Sequence, residues 1–460
     1  MPPEVCSGWA NVRKTPMLAN GGHQNQADLT DNHTNSPFPA YYDSYRKTYW
    51  IQNARGGWIE VNETGLRRHL KARGYSCERG PAFVSPLDGT INEIQVEKDV
   101  AYAGALAGYK QGILEAYGNR ILVTTAPKLI EPREGNFPTI SALIRNLLYD
   151  PNRDQQPFVF GWLKVAIESL QSGQHRPGQA LAIAGPRDSG KSLFQNMVTG
   201  ILGGRAAKPY RYMSGATEFN GELFGCEHLM IEDDIGSTDF RARRNFGTRI
   251  KEFTVNEVQS CHAKNRQAIN LKPFWRLSIT LNEEPENLLI LPPLDESLQD
   301  KIILLKAQKK PMPMPTITRE GRSQFWKTLI SELPAFIWFL TRWEIPPELR
   351  SERFGVTHYH HPELLAELET LAPENKLLEI IDMYFHISGR DSEKWQGTAA
   401  ELESQLLNSQ DVGAESRKLL NWPNATGTYL GRLMRKHPDR IEFDRSADRR
   451  GWIIKPKPSK

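Results

Sequence analysis

The chain has 460 residues, of which 39% are hydrophobic and 24% are charged, and its formal net charge is +4. This length predicts about two to four domains of ordinary size, and the charge is too small to indicate a nucleic-acid partner by itself. No apolar run approaches the roughly 18 residues of a membrane-spanning helix, so we expect a soluble globular protein with no membrane partner.

The cysteines and the first residues indicate a cellular compartment. No CxxC pair occurs, which argues against a zinc site or a disulfide framework. The opening stretch MPPEVCSGWANVRK lacks the basic and then apolar pattern of a secretion signal. These features predict a reducing, cytoplasmic setting. Residues 1–38 contain few apolar side chains, and we expect a flexible tail there.

Residues 39–135 have the pattern of a small α+β domain. Aromatic stretches on either side of an Arg-Gly-Gly turn predict a hairpin, and a helix capped near Asn62 follows it. That helix has several basic residues, for which a solvated face and a surface for nucleic-acid phosphates are both open interpretations. The basic residues are Arg67, Arg68, His69, Lys71 and Arg73.

Residues 136–310 begin with helical patterns and then alternate apolar strands with helices, which predicts a parallel sheet covered on both faces. Within it, ALAIAGPRDSGKSLFQNMVTGILGG reads strand, loop and helix, and the loop matches the phosphate-binding pattern GxxxxGKS. Glycines let the backbone N–H groups turn toward a phosphate, Lys191 neutralises its charge, and Ser192 offers a hydroxyl to Mg²⁺. The predicted nucleotide-binding residues are Gly185, Pro186, Arg187, Asp188, Ser189, Gly190, Lys191 and Ser192.

Two further strands end in residues suited to ATP hydrolysis. In HLMIEDDIG, the carboxylates of Glu232, Asp233 and Asp234 crowd the end of an apolar strand, where α/β sheets bind their ligands. Such a cluster is costly unless a cation neutralises it, so Glu232 and Asp233 are predicted with Ser192 as metal ligands. The strand WRLSITLN ends at Asn282, whose amide could sense the γ-phosphate and position the attacking water.

The order of these motifs within about a hundred residues resembles the superfamily 3 helicases, in particular the helicase part of phage and mobile-element primase-helicases. The resemblance implies an AAA+-like P-loop ATPase core that uses ATP and Mg²⁺ in a homo-oligomeric ring, expected to be a hexamer. It also implies a β-hairpin that grips single-stranded DNA in the ring channel. The matching tip residues are His262, Lys264, Asn265 and Arg266.

One position departs from that family. An arginine that reaches the neighbouring subunit's nucleotide is expected after the asparagine strand, but LDESLQDKIILLK has Lys301 there. Lysine lacks the planar fork of guanidinium, so either Lys301 takes the place of this arginine or an arginine elsewhere in the chain reaches the neighbouring nucleotide. The candidates are Arg243, Arg244 and Arg249.

Residues 311–372 form a predicted helical connector. The stretch SQFWKTLISELPAFIWFLTRW predicts a helix or helical hairpin that is broken near Pro334. The histidines in HYHHPEL lack a companion carboxylate or cysteine pattern, so we interpret them as the segment that leads into a helix and not as a metal site.

Residues 373–460 predict a winged-helix domain. A capping box at Thr398 and Glu401 begins one helix, and a second helix and a hairpin follow. Such domains bind duplex DNA through a helix and a wing, although many serve only as protein-protein modules. The predicted DNA-binding residues on the outer face of the second helix are Arg432, Arg435 and Lys436.

The sequence therefore favours an ATP-dependent, ring-forming DNA helicase for replication of a phage, plasmid or integrated element in the cytoplasm of a bacterial host. No polymerising domain is evident, so a separate primase is a candidate partner. The alternative is a non-unwinding AAA+ switch that acts as an initiator, a loader or a defence regulator. A small-molecule kinase is a more distant interpretation, because nothing in the sequence marks an acceptor pocket.

Overall fold

A computed structural model describes residues 39–79, 83–232, 240–264, 266–389, 393–446 and 449–457. The predicted tail, residues 1–38, therefore lies outside the described residues. Two compact units account for the chain. The described residues up to 232, with 245–283 and 296–360, form the first unit, and residues 240–244, 284–295 and 361–457 form the second.

The first unit begins with two small sheets. Strands β1, β2 and β3 form an antiparallel sheet, and β4, β6 and β5 form a second sheet in that order. The predicted hairpin is β2 with β3, and the Asn62 side chain accepts a hydrogen bond from Gly65 N at the predicted helix start. The elements are β1 (Ala40–Asp43), β2 (Thr48–Gln52), β3 (Trp58–Val61), α1 (Glu63–Ala72), α2 (Pro86–Glu97), β4 (Tyr102–Gly104), β5 (Gly112–Ala116) and β6 (Asn119–Val123).

The remainder of the first unit surrounds a five-stranded sheet. Helix α8 belongs to the second unit, as does the first part of α7. The elements are α3 (Pro138–Leu147), α4 (Gln156–Ser172), β7 (Ala180–Ala184), α5 (Lys191–Ile201), β8 (Ala206–Ala207), α6 (Tyr210–Met213), β9 (His228–Ile231), α7 (Phe240–Val255), β10 (Gln259–Cys261), β11 (Ile269–Leu271), β12 (Arg276–Leu281), α8 (Pro285–Leu288), β13 (Ile302–Lys306), α9 (Arg319–Arg342), β14 (Arg350–Ser351) and β15 (Gly355–Val356).

The five strands are all parallel and lie in the order β13, β7, β12, β9, β8. Residues of β7, β9 and β12 are buried, which explains the largely apolar sequences of β7 and β9, whereas β12 also buries polar residues. Strand β12 separates β7 from β9, so the chain segments that follow these three strands emerge side by side at one edge. The predicted mixed α/β fold with a parallel sheet is confirmed.

Helix α9 corrects one expectation. The sequence predicted a break near Pro334, but α9 is a single helix of 24 residues with Pro334 inside it. A proline within a helix costs about 3 kcal/mol. Each large apolar side chain buried on this helix contributes about 2 kcal/mol, and several are buried on both sides of the proline, so packing outweighs the cost. These side chains include Phe325, Leu329, Leu333, Phe336 and Leu340.

The second unit has a compact C-terminal core. Strands β16, β18 and β17 form an antiparallel sheet in that order, and the capping box between Thr398 and Glu401 is present as predicted. The sequence did not predict β16. The elements are α10 (Pro362–Thr370), α11 (Pro373–Ile387), β16 (Trp395–Gly397), α12 (Ala399–Asn408), α13 (Gly413–Leu419), α14 (Ala425–Lys436), β17 (Ile441–Ser446) and β18 (Arg449–Ile454).

Across the part of the chain that the structure describes, no helix is both long enough and apolar enough to cross a membrane.

Candidate nucleotide site and nucleic-acid surfaces

The loop between β7 and α5 adopts a conformation that its glycines make accessible. A Cβ on Gly185 would lie 2.5 Å from the Ala307 carbonyl oxygen, so no larger residue fits there without a backbone shift. Asp188 and Gly190 both have left-handed backbone angles, with φ of 60° and 99°. The second angle suits glycine, which has no Cβ to clash. The loop therefore curls tightly before α5 begins at Lys191.

The Lys191 ammonium lies at the centre of this loop. Its side chain is buried, and Nζ donates to the carbonyl oxygens of Gly185 and Pro186, at 2.7 Å each. Asn282 Oδ1 lies 3.4 Å from the same Nζ, within the buried interior. The structure thus joins the predicted lysine to the predicted asparagine, although 91 residues separate them in the sequence.

The other loop residues differ in exposure. Arg187, Asp188 and Ser192 are exposed, and Pro186 is half-buried. Ser189 is buried, and its Oγ has no hydrogen-bond partner among the described residues. A short stretch after β13 borders the loop, where Lys309 Nζ lies 3.8 Å from the Asp188 carboxylate.

The predicted acidic residues are described only in part. Glu232 directly follows β9, and its Oε2 lies 2.5 Å from Lys208 Nζ. Asp233 and Asp234 lie outside the described residues. Among the residues that are described, no cluster of three or more His, Cys, Asp or Glu side chains is placed to bind a metal ion. The metal-ligand assignment of Ser192, Glu232 and Asp233 stays a prediction.

Each candidate for the residue that acts on a neighbouring subunit has a partner in its own chain. Lys301 is buried and forms an ion pair with Asp300 at 2.5 Å. Arg243 is buried and donates to Leu291 O at 3.0 Å, and this burial lowers its pKa to about 10. Arg244 lies over the Trp422 ring, and Arg249 pairs with Glu252 and lies over the Tyr212 ring. The trans-acting role stays a prediction for all four.

The predicted hairpin is formed by β10 and β11, which pair antiparallel. Of its tip residues, Lys264 is exposed, while Asn265 lies outside the described residues. His262 is half-buried: its backbone N–H donates to Asn220 Oδ1 at 2.7 Å, and its ring lies 5.1 Å from the Phe219 ring.

Arg266, the fourth predicted tip residue, is not a projecting cation in this structure. Its side chain is only 12% exposed, and its Nη2 lies 2.9 Å from Oδ2 of Asp43, which is fully buried at the end of β1. The guanidinium carbon also lies 5.4 Å from the centre of the Tyr45 ring. Arg266 therefore connects the hairpin to the first small sheet, a contact that the sequence did not indicate.

The basic side chains of α14 are also partly engaged. Lys436 Nζ donates to Glu374 Oε1 at 2.9 Å, and Arg432 lies 3.5 Å from Oε2 of the same carboxylate. Burial would raise the pKa of Glu374, but the hydrogen bond from Lys436 and the nearby Arg432 charge lower it overall. Arg435 is exposed. DNA binding by these three residues stays a prediction.

Two other basic or histidine-rich segments have structural contacts. On α1, Arg67 donates to both Glu63 and Asp88, so part of this basic helix is neutralised by its own neighbours. In HYHHPEL, the His360 ring nitrogen Nε2 lies 3.1 Å from Ile302 O, and burial lowers the pKa of His360.

Sequence reasoning missed a buried polar network beneath the site. Gln195 of α5 contacts Ser278 and Thr280 of β12, while His228 of β9 links Ser278 to Thr199. Burial lowers the pKa of His228 to about 3, so its imidazole is neutral. The alternating polar residues of WRLSITLN were the available signal, because a strand buried on both faces does not ordinarily contain them.

Comparisons with known proteins identify a family model for part of the chain and solved structures with a similar fold. Residues 183–296 match a family described as a family of unknown function (DUF5906). No curated protein matches the chain. Two apo structures of the NrS-1 C terminal region are similar, each with a TM-score of 0.52, and they are 12% and 13% identical to this chain. In both, the match covers 91% of this chain and 96% of the other.

At such identities, the likeness to the NrS-1 C terminal region shows a shared fold alone. A structure of JCV Helicase with a thiazolopyridine compound bound matches 51% of this chain and 66% of its own, with 14% identity. Its TM-score of 0.24 is too low to support an argument.

Proposed function

We propose that this chain is an ATP-dependent DNA helicase that works as a ring, expected to be a hexamer, and that it hydrolyses ATP at the loop between β7 and α5. The observation that carries the proposal is the contact between Lys191 Nζ and Asn282 Oδ1, at 3.4 Å within the buried interior. A lysine suited to binding phosphate, at the start of α5, thus meets the amide that follows β12. The two lie beside the carboxyl ends of the adjacent parallel strands β7 and β12, where α/β sheets bind ligands.

In this proposal, the loop binds the phosphates of ATP. The N–H groups at the start of α5 and the Lys191 ammonium neutralise phosphate charge, and Asn282 contacts the γ-phosphate or the attacking water. Ser192, Glu232 and Asp233 supply hydroxyl and carboxylate oxygens, the ligand chemistry that Mg²⁺ prefers. When bound, Mg²⁺ would neutralise charge on the phosphates. Either Lys301 or one of the arginines named above would act from the adjacent subunit.

Nucleic-acid contact is assigned first to the hairpin. Lys264 is the exposed cation at its tip, and we propose that it contacts the backbone of single-stranded DNA in the ring channel. His262, Asn265 and Arg266 belong to the same proposed surface, although Arg266 would first have to leave Asp43. Contacts of this kind tolerate many sequences and weaken with salt.

The C-terminal core supports a winged-helix assignment, because α14 precedes a hairpin of β17 and β18. We propose that Arg432, Arg435 and Lys436 contact duplex DNA there. A replication role for a phage, plasmid or integrated element in the bacterial cytoplasm, with a separate primase as partner, completes the proposal.

The second candidate is a non-unwinding AAA+ switch. The ion pair of Arg266 with buried Asp43 favours it, since a tip cation that is bound within its own chain is not available to grip DNA. The two functions differ in whether ATP hydrolysis separates strands.

The test measures ATP hydrolysis and forked-duplex unwinding in the full chain. We expect Lys191→Ala to abolish hydrolysis, and Lys264→Ala to retain basal hydrolysis while DNA stimulation and unwinding fall. Lys327→Ala, on the exposed face of α9, is the matched control for loss of a surface lysine. Wild-type hydrolysis that persists in Lys191→Ala would refute the site. ATPase activity without DNA stimulation or unwinding would favour the switch.

A further inference from the structure

Gln195 lies one helical turn after Lys191 on α5, and it is fully buried beneath the candidate site. Its amide contacts the two neighbouring strands that end at the other candidate catalytic residues. Nε2 donates to Ile231 O at 3.1 Å, and Oε1 accepts from Thr280 Oγ1 at 3.0 Å.

These two contacts fall close to the reacting positions. Ile231 is the last residue of β9 and directly precedes Glu232, while Thr280 is two residues before Asn282. Nε2 also donates to Ser278 Oγ at 2.9 Å. Both N–H groups and the carbonyl oxygen of the amide are therefore used. The orientation of the amide follows from chemistry, because a backbone carbonyl can only accept.

We propose that Gln195 is a positioning residue, which fixes Glu232 and Asn282 relative to Lys191 for the proposed ATP hydrolysis. The inference rests on that proposed function. An apolar side chain would satisfy packing at this position, since burying an amide between strands is unfavourable unless every polar atom of the amide is paired. A fully paired amide instead joins one helix to two strands in a single geometry.

The same network provides a matched control at its other end. Thr199 lies one turn further along α5, and its Oγ1 is 2.8 Å from His228 Nδ1. His228 is the first residue of β9, so this contact lies away from the strand ends that precede Glu232 and Asn282. Thr199→Val removes a part-buried polar contact of the same network, together with the bond of its hydroxyl to the Gln195 backbone carbonyl, and leaves the side-chain amide contacts to Ile231 and Thr280 in place.

The experiment compares Gln195→Met and Thr199→Val with the wild type in the full chain. Gln195→Met keeps the length of the side chain and removes its polar atoms. Misplacement of catalytic groups by about 1 Å can reduce rates by about 100-fold, so we expect kcat for ATP to fall by at least about tenfold. The Kd for a non-hydrolysable ATP analogue should change by less than about threefold, since the phosphate loop is intact. In Thr199→Val, kcat should stay within about twofold.

Thermal unfolding of both variants separates the proposed role from general loss of stability. The inference is overturned if Gln195→Met retains wild-type kcat, if Thr199→Val loses kcat equally, or if analogue binding by Gln195→Met weakens in parallel with kcat. Lys191→Ala is measured in the same assay. If wild-type hydrolysis is absent or survives in Lys191→Ala, the proposed function has failed. If hydrolysis depends on Lys191 but not on Gln195, this inference alone has failed.

Discussion

The ion pair between Arg266 and Asp43 should make the hairpin depend on the first small sheet. Removing one partner of a buried ion pair costs about 3–5 kcal/mol, because the other charge is left without compensation. Asp43 is fully buried, but it keeps the backbone N–H of Arg46 at 2.9 Å and has the Arg46 side chain 3.9 Å away. Its charge stays partly compensated, so we expect about 2–3 kcal/mol for Arg266→Ala, at or below the low end of that range.

A double-mutant cycle isolates this contact. Arg266→Ala, Asp43→Asn and the double variant are compared through amide hydrogen exchange of β10 and β11, which reports opening of the hairpin. A coupling of about 2 kcal/mol corresponds to roughly 30-fold in exchange rate. Arg67→Ala is the control, since its partners on the surface of the same unit are half exposed and should contribute under about 1 kcal/mol.

The cycle also addresses the nucleic-acid proposal. Asp43→Asn should release Arg266 and strengthen binding of single-stranded DNA, whereas Lys264→Ala should weaken it. A coupling energy below about 0.5 kcal/mol would refute the reasoning, because a value this small is typical of solvent-exposed ion pairs.

Two further predictions concern other charged groups. Glu374→Gln should strengthen duplex DNA binding, measured by fluorescence anisotropy, because it removes the carboxylate that pairs with Lys436 and Arg432 and leaves their positive charges available. Unchanged affinity would argue against α14 as the contact surface. Burial lowers the pKa of His228 from 6.5 to about 3. Between pH 6.5 and about 3, the unfolded chain therefore binds a proton that the folded chain does not, and the free energy of unfolding falls as the pH falls through this range. His228→Gln should reduce the slope of unfolding free energy against pH by up to about 1.4 kcal/mol per unit, measured by denaturant unfolding, and an identical slope would contradict the assignment.

The sequence was most informative where chemistry is local. The glycines and lysine of the loop, the caps at Asn62 and Thr398, and the hairpin of β2 and β3 are short patterns with a direct physical cause, and each lies where it was predicted. The parallel sheet also followed from the alternation of apolar strands and helices. These features depend on neighbours within a few residues, or on periodicity that a single segment displays.

Long-range pairing was beyond such patterns. Asp43 and Arg266 are 223 residues apart, and nothing local distinguishes either from a solvated surface charge. Burial of a carboxylate at the end of β1 depends on the packing of other elements, which a single segment does not reveal. Pro334 is a second example of an effect that local patterns do not reveal. Proline does disfavour a helix interior, but the packing of the surrounding core outweighs that tendency in α9.

Gln195 illustrates why a candidate site needs both kinds of information. Its position one turn after Lys191 is visible in the sequence, but a glutamine on a helix is ordinarily solvated. Only the sheet order, which places β12 between β7 and β9, brings Ile231 O and Thr280 Oγ1 to the same amide. If the chain hydrolyses ATP, the rate should therefore depend on a residue that lies beneath the phosphate loop and outside it, because the relative placement of the strand ends is held by hydrogen bonds beneath them.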